Sequence, residues 1–110
     1  MLRGDIVMIR NEFGKSTGCE QRKDRPAIIV SNNICNQHSP VIEVVYLTTS
    51  KRKSPLPTHV NINSTHFPST ALCEAIYSVD KSRVTELNLC CTLAEILEVN
   101  RALRISLGLI

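Results

Sequence analysis

Six of the thirteen lysines and arginines fall in two short groups. Arg22, Lys23 and Arg25 close one long polar stretch, and Lys51, Arg52 and Lys53 open another. Emerging on one side of a fold, the two groups would make a cationic rim, whose natural complement is a phosphate backbone. On separate sides they would be two solvated loops. A guanidinium presents five N–H donors in a fixed fork and stays charged at any physiological pH. An arginine, a hydroxyl and one carboxylate suit phosphoryl transfer, where offsetting charge on phosphate oxygens does much of the catalysis. Other chemistries lack their signatures. There is no nucleophile elbow, no G-x-G-x-x-G and no Walker loop. His38, His59 and His66 have no zinc-ligand spacing, and Cys19, Cys35, Cys73, Cys90 and Cys91 form no C-x-x-C. No metal or cofactor is therefore expected. An odd cysteine count fits reduced thiols. The aromatics Phe13, Tyr46, Phe67 and Tyr77, with no tryptophan, are too few for extensive base stacking.

The elements that must position these groups fit in one domain spanning residues 1–110. The hydrophobic fraction of 43%, with 21% charged residues and a net charge of +3, excludes a disordered tail. The first residues carry charge where a signal peptide needs an apolar core, and no apolar run approaches the ~20 residues of a membrane helix. A cytoplasmic protein with no membrane association is expected. Strands are predicted at 5–9, 27–30, 41–47, 58–62 and 71–76. In the fourth, Val60 and Ile62 point inward and His59 and Asn61 outward. Glu43 interrupts one face of the third, which suggests that side meets solvent or a partner. Loops are expected at 11–25, 31–40, 50–57 and 63–70. Thr92 with Glu95 is a capping box opening a helix, along which Leu93, Ile96, Leu97, Leu103 and Leu107 form a stripe; Gly108 ends it. Asp80 and Arg83 read as turn-fixing residues. Short strands followed by one helix imply a small curled sheet or barrel with the helix packed on it.

Several segments resemble a known family. RGDIV (3–7), GCEQRKDRPAIIVSN (18–32), Thr48, LPTHV (56–60) and EAIYSVDKSRV (74–84) resemble the MazF/PemK toxins, in order and with similar gaps. They are most similar to the MazF-type endoribonucleases of Gram-positive bacteria. The resemblance implies a mainly β fold with a C-terminal helix, an SH3-like small barrel that forms a homodimer. It implies sequence-specific cleavage of single-stranded mRNA without a metal. Since no Asp, Glu or His cluster resembles a two-metal site that activates water, the nucleophile is expected to be the RNA's own 2′-OH, transesterification giving 2′,3′-cyclic phosphate and 5′-OH ends. The resemblance also implies neutralisation by a MazE-like antitoxin.

By the same resemblance, Arg25 and Thr48 match the family's catalytic pair. Glu20 matches its loop glutamate, and Glu74 stands where the PemK branch has an aspartate proposed as general base. From their charge and apart from the resemblance, the loop residues Arg22, Lys23, Lys51, Arg52 and Lys53 are expected to contact RNA, the last three RNA or the antitoxin; Gln21 beside Glu20 and the outward-facing His59 are further candidates for RNA contact. The chain departs from the pattern at Cys19 and Arg22–Lys23, in place of a serine and two glycines. Ala75 and Tyr77 replace a glutamine and an arginine, and the segment 63–70 is shorter. These changes bear on which RNA sequence is recognised. The alternative is a non-catalytic gyrase poison of the CcdB type on the same barrel. Those toxins use a tryptophan near the C-terminus, whereas this chain has none and ends in LGLI.

Overall fold

The structure is a computed structural model that describes residues 1–11, 24–50 and 56–109. Its strands are β1 (Asp5–Ile9), β2 (Arg25–Ile29), β3 (Val41–Thr48), β4 (His59–Ile62), β5 (Ser69–Leu72), β6 (Tyr77–Asp80) and β7 (Val84–Cys90). Its helices are α1 (Asn33–His38) and α2 (Leu93–Leu107), with a 3-10 turn at Lys81–Arg83. The sheet runs β4-β5-β3-β2-β1-β7, every pairing antiparallel, with β6 also on β3.

β3 organises the molecule. One edge pairs with β2. Its other edge pairs with β6 over Val41 to Val44, then with β5 at Leu47 and Thr48. Val44, Val45, Tyr46 and Leu47 are consecutively buried, so both faces of β3 are covered. Val44 and Tyr46 join a core with Ile9, Ala27 and Val79, against which Val84 packs. Val79 and Val84 come from the two ends of the path β6-β3-β2-β1-β7, so these strands curl round a shared interior. This is the small barrel expected from the sequence, left open: among the described strands, β6 and β7 are joined by the 3-10 turn and not by a ladder. Val45 and Leu47 join a second core with Ile62 and Ala71 of the β4–β5 arm and Val99 and Ala102 of α2.

The capping box forms as its spacing requires. Thr92 Oγ1 accepts the Glu95 N–H at 3.2 Å, and the Glu95 carboxylate accepts the Thr92 N–H at 2.9 Å. The same carboxylate also accepts from the Asn63 N–H and the Ser64 hydroxyl, tying α2 to the turn after β4. Gly108 ends the helix at φ 69°. The buried arc is rotated from the expected stripe. Val99, Ala102 and Leu103 are inside, whereas Leu93, Leu97 and Leu107 are exposed. Gly4 sits under this helix at φ 93°, where a Cβ would lie 2.8 Å from Ile96 Cδ1.

Three expectations are corrected. Residues 31–40 are not all loop, since they hold α1. Asn32 caps it by accepting the Cys35 N–H at 2.8 Å, and the buried Asn36 amide bonds back to the Ser31 carbonyl. The strand expected at 71–76 is split. The chain turns at Cys73 and Glu74, whose geometry is closed by the Ala75 N–H on the Leu72 carbonyl, and resumes as β6. β7 was not anticipated, because a bulge breaks its alternation: Ile6 faces Leu89 but Val7 faces Glu86, with Asn88 at φ 57° between them. Cys35, Cys73, Cys90 and Cys91 are free thiols; burial pushes Cys73 up to about 11 and Cys91 up to about 12.

Candidate active site

Arg25 opens β2, two residues earlier than the strand read from the sequence. The Asn11 N–H donates to the Asp24 carboxylate at 3.0 Å, so the ends of the connection between β1 and β2 are stapled just before it. Pro26 then disfavours helical geometry at the residue preceding it, which holds Arg25 extended. The β2–β3 ladder pairs Ala27 with Tyr46, Ile28 with Val45 and Ile29 with Val44. Carried two residues on, that register sets Arg25 opposite Thr48. Directly opposed residues share a face, with Cβ atoms about 4.5–5.5 Å apart. Tyr46 is the diagonal neighbour of Arg25 on that face.

The Arg25 guanidinium carbon lies 4.5 Å from the centre of the Tyr46 ring. Tyr46 is only 6% exposed, and the half-exposed Tyr77 leans on it, ring centres 5.1 Å apart and planes at 60°. Burial pushes the Tyr46 phenol above its ordinary range, and the guanidinium groups of Arg83 and Arg25 draw it part of the way back. Tyr46 is therefore neutral at physiological pH. Thr48 Oγ1 accepts the Ser50 N–H at 3.2 Å, which leaves its own O–H free to donate. A polar cleft of about 270 Å³ opens past Thr48, lined by Thr49, Ser50, Asn61, Asn63 and Thr70.

His59 and Glu74 form a second group. His59 lies on the outer face of β4, but its side chain is only 7% exposed, because Glu74 covers it. The Leu56 N–H donates to His59 Nδ1 at 3.2 Å, so the ring proton sits on Nε2, which faces Glu74 Oε2 at 3.1 Å. The Thr58 hydroxyl donates to the other carboxylate oxygen at 3.1 Å. Partial burial raises the Glu74 carboxyl, but a backbone N–H and its two side-chain donors outweigh that and leave it below the usual carboxylate range. Among the described residues, no hydrogen bond or ion pair links this group to Arg25 or Thr48.

Glu20, Gln21, Arg22, Lys23, Lys51, Arg52 and Lys53 lie outside the described residues. Asp80 accepts the Ser82 N–H at 2.8 Å, and Arg83 Nε donates to the Arg10 carbonyl at 2.9 Å, so both fix the turn between β6 and β7. The sequence reading missed Tyr46 and gave Arg83 no role beyond that turn. The spacing of Tyr46, two residues before Thr48 on a strand, is the signal that places both on one face.

Comparison with known proteins gives concordant matches. A family described as the PemK-like, MazF-like toxin of type II toxin-antitoxin systems matches residues 2–107. The Endoribonuclease MazF of Staphylococcus saprophyticus is 34% identical over 113 residues, covering 99% of this chain and 92% of that protein. The protein of the same name from Staphylococcus epidermidis is also 34% identical, covering 97% and 91%. A solved mycobacterial endoribonuclease in complex with its cognate antitoxin superposes with a TM-score of 0.82 at 28% identity, covering 100% of this chain and 97% of that one.

Proposed function

This chain belongs to the PemK-like, MazF-like family of type II toxin-antitoxin toxins, and from that premise we propose that residues 1–110 act as one endoribonuclease domain that cuts single-stranded mRNA at a defined sequence. Cleavage uses the RNA's own 2′-OH. That oxygen bonds to the adjacent phosphorus while the bond to the 5′-oxygen breaks, leaving a 2′,3′-cyclic phosphate and a 5′-OH. Arg25 is always protonated, so it is not the base. Its fork holds the non-bridging phosphate oxygens and offsets charge as the phosphorane forms, the service a metal ion gives in other nucleases. Thr48 donates its free O–H to the same phosphate. What supports the reading is the β2–β3 register, which, carried two residues past its last pair, Ala27 with Tyr46, sets Arg25 opposite Thr48.

The 2′-OH proton goes to Glu20 or to a water, and a proton is returned to the leaving 5′-oxygen. Glu74 suits the base role poorly. It already accepts from Thr58 and His59 and is held ionised. Its part in this reading is to set the turn that carries Thr58 and His59. Gln21, Arg22, Lys23, Lys51, Arg52 and Lys53 supply RNA contacts on the loops, with His59 reached only past Glu74.

The toxin is neutralised by a MazE-like antitoxin, in keeping with the mycobacterial relative solved with its cognate antitoxin. It forms a homodimer, to which the exposed Leu93, Leu97 and Leu107 of α2 give an apolar face. It acts in the cytoplasm, where mRNA is; no helix among the described residues is long and apolar enough to cross a membrane. The CcdB-type reading is not favoured, since the relatives at 34% identity are named endoribonucleases.

Mass spectrometry of an oligonucleotide cut in excess EDTA tests the chemistry. A 2′,3′-cyclic phosphate with a 5′-OH is expected. A 5′-phosphate with a 3′-OH would mean attack by water and would overturn the scheme.

A further inference from the structure

We propose that Tyr46 is a positioning residue for Arg25, its buried ring acting as a neutral floor that holds the guanidinium ready for phosphate. This rests on the reading of Arg25 as the residue that grips the scissile phosphate. An arginine on a strand at a rim has a long, flexible stem with many rotamers to lose. Stabilisation of a developing phosphorane depends on donors already in place before the reaction. Something must therefore hold Arg25.

The usual means would be a carboxylate, and among the described residues none pairs with Arg25. The ring does the holding differently. A carboxylate grips the N–H fork edge-on and competes with phosphate for the same donors. An aromatic face attracts the flat side of the cation and leaves the N–H edge free. The 4.5 Å separation of the Arg25 guanidinium carbon from the Tyr46 ring centre is within cation–π range.

The floor is itself fixed. Tyr46 is buried against Ala27 and Val44, and Tyr77 leans on its ring. Arg83, anchored through Nε to the Arg10 carbonyl, stands beside the Tyr46 hydroxyl. The chain thus carries a diagonal of side chains, from Tyr77 on β6 through Tyr46 on β3 to Arg25 on β2. Its end at the rim is Arg25, the group this reading sets against the scissile phosphate.

The test compares Tyr46→Phe, Tyr46→Leu and Tyr46→Met with Arg25→Ala. It reads kcat and KM on a cleavable oligonucleotide, affinity for an uncleavable 2′-deoxy analogue, and thermal unfolding. Tyr46→Phe keeps the ring and stays within about twofold of the parent in kcat. Tyr46→Leu and Tyr46→Met lose about 3- to 30-fold in kcat. In the Arg25→Ala background, Tyr46→Leu causes no further loss of affinity for the analogue. A merely structural tyrosine would lower both backgrounds alike and would rank Phe, Leu and Met by stability. If Arg25→Ala is inactive while folded Leu and Met variants cut like the parent, the floor is disproved and the Arg25 reading stands. If Arg25→Ala itself cuts normally, the reading of Arg25 falls and the inference with it.

Discussion

His59 Nε2 and Glu74 Oε2 stand 3.1 Å apart, and the Leu56 amide on the far ring nitrogen decides which of the two holds the proton. Glu74 thereby remains the anion of the pair. A carboxylate stabilised this way is a weak base, which separates Glu74 from the proton-transfer step. Glu74→Gln is expected to lose less than about tenfold in kcat, whereas a general base typically contributes about 10²–10⁴. Single-turnover cleavage by the purified variant checks this; a loss in that larger range would return Glu74 to the chemistry.

Arg25 and Thr48 sit at a rim and not in a core centre, so their removal should disable cleavage without unfolding the chain. Arg25→Ala and Thr48→Val are each expected to lower kcat by about 10²–10³, the cost of one lost oxyanion donor. Arg25→Lys should also be poor, because a point charge does not reproduce the fork. Circular dichroism and melting curves indistinguishable from the parent complete the expected result.

Glu95 links acid sensitivity to α2. Burial raises its carboxyl, but donors from Ser64, Thr92 and Asn63 overcome this and hold it below its ordinary value. A lowered folded pKa means stability present above the unfolded value, near 4.3, and lost as pH falls through the folded one. Melting temperature should therefore drop as pH falls below the unfolded value of about 4.3. Glu95→Gln should flatten that slope, and Glu95→Ala should cost about 1–2 kcal/mol at neutral pH. A variant with the parental slope would show that the contacts to Ser64 and Asn63 carry no stability.

Gly4 combines a positive φ with a close approach to Ile96. Gly4→Ala should destabilise by about 1–3 kcal/mol. Adding Ile96→Val removes the Cδ1 that the new methyl would meet. The pair should then recover the steric share and keep the backbone share, so a double-mutant cycle measured by urea unfolding should show positive coupling. Strict additivity would count against the contact.

Much of this fold and part of the candidate site can be read from local sequence. Thr92 and Glu95 announce α2 because a capping box is closed within four residues. Pro26 acts on its neighbour Arg25, yet β2 reads as strand only from Ala27, where the apolar run begins. What escaped depends on distant chain. Tyr46 looks like one more strand residue until Arg25 is set across from Thr48 by the register. His59 alternates outward as its strand dictates, yet Glu74, from beyond the next strand, covers it. β3 reads as a strand from its apolar run, although a core on each face buries four successive residues and removes its period-two signal. In β7 the bulge at Asn88 shifted the phase. Nothing in a six-residue helix gives period 3.6 room to show, so α1 reads as loop despite the cap at Asn32.

The bulge at Leu87 and Asn88 has a further consequence for the chain in bulk. Among the described residues β7 ends the hydrogen-bonded path of the sheet, and a terminal strand is a template on which a stranger's strand can grow. Two residues out of phase interrupt the straight row of donors and acceptors that such growth copies, and the local twist turns the row aside. Concentrated chain should accordingly resist fibrillar stacking along that border, and copies that do associate should meet through side chains instead of through shared ladders.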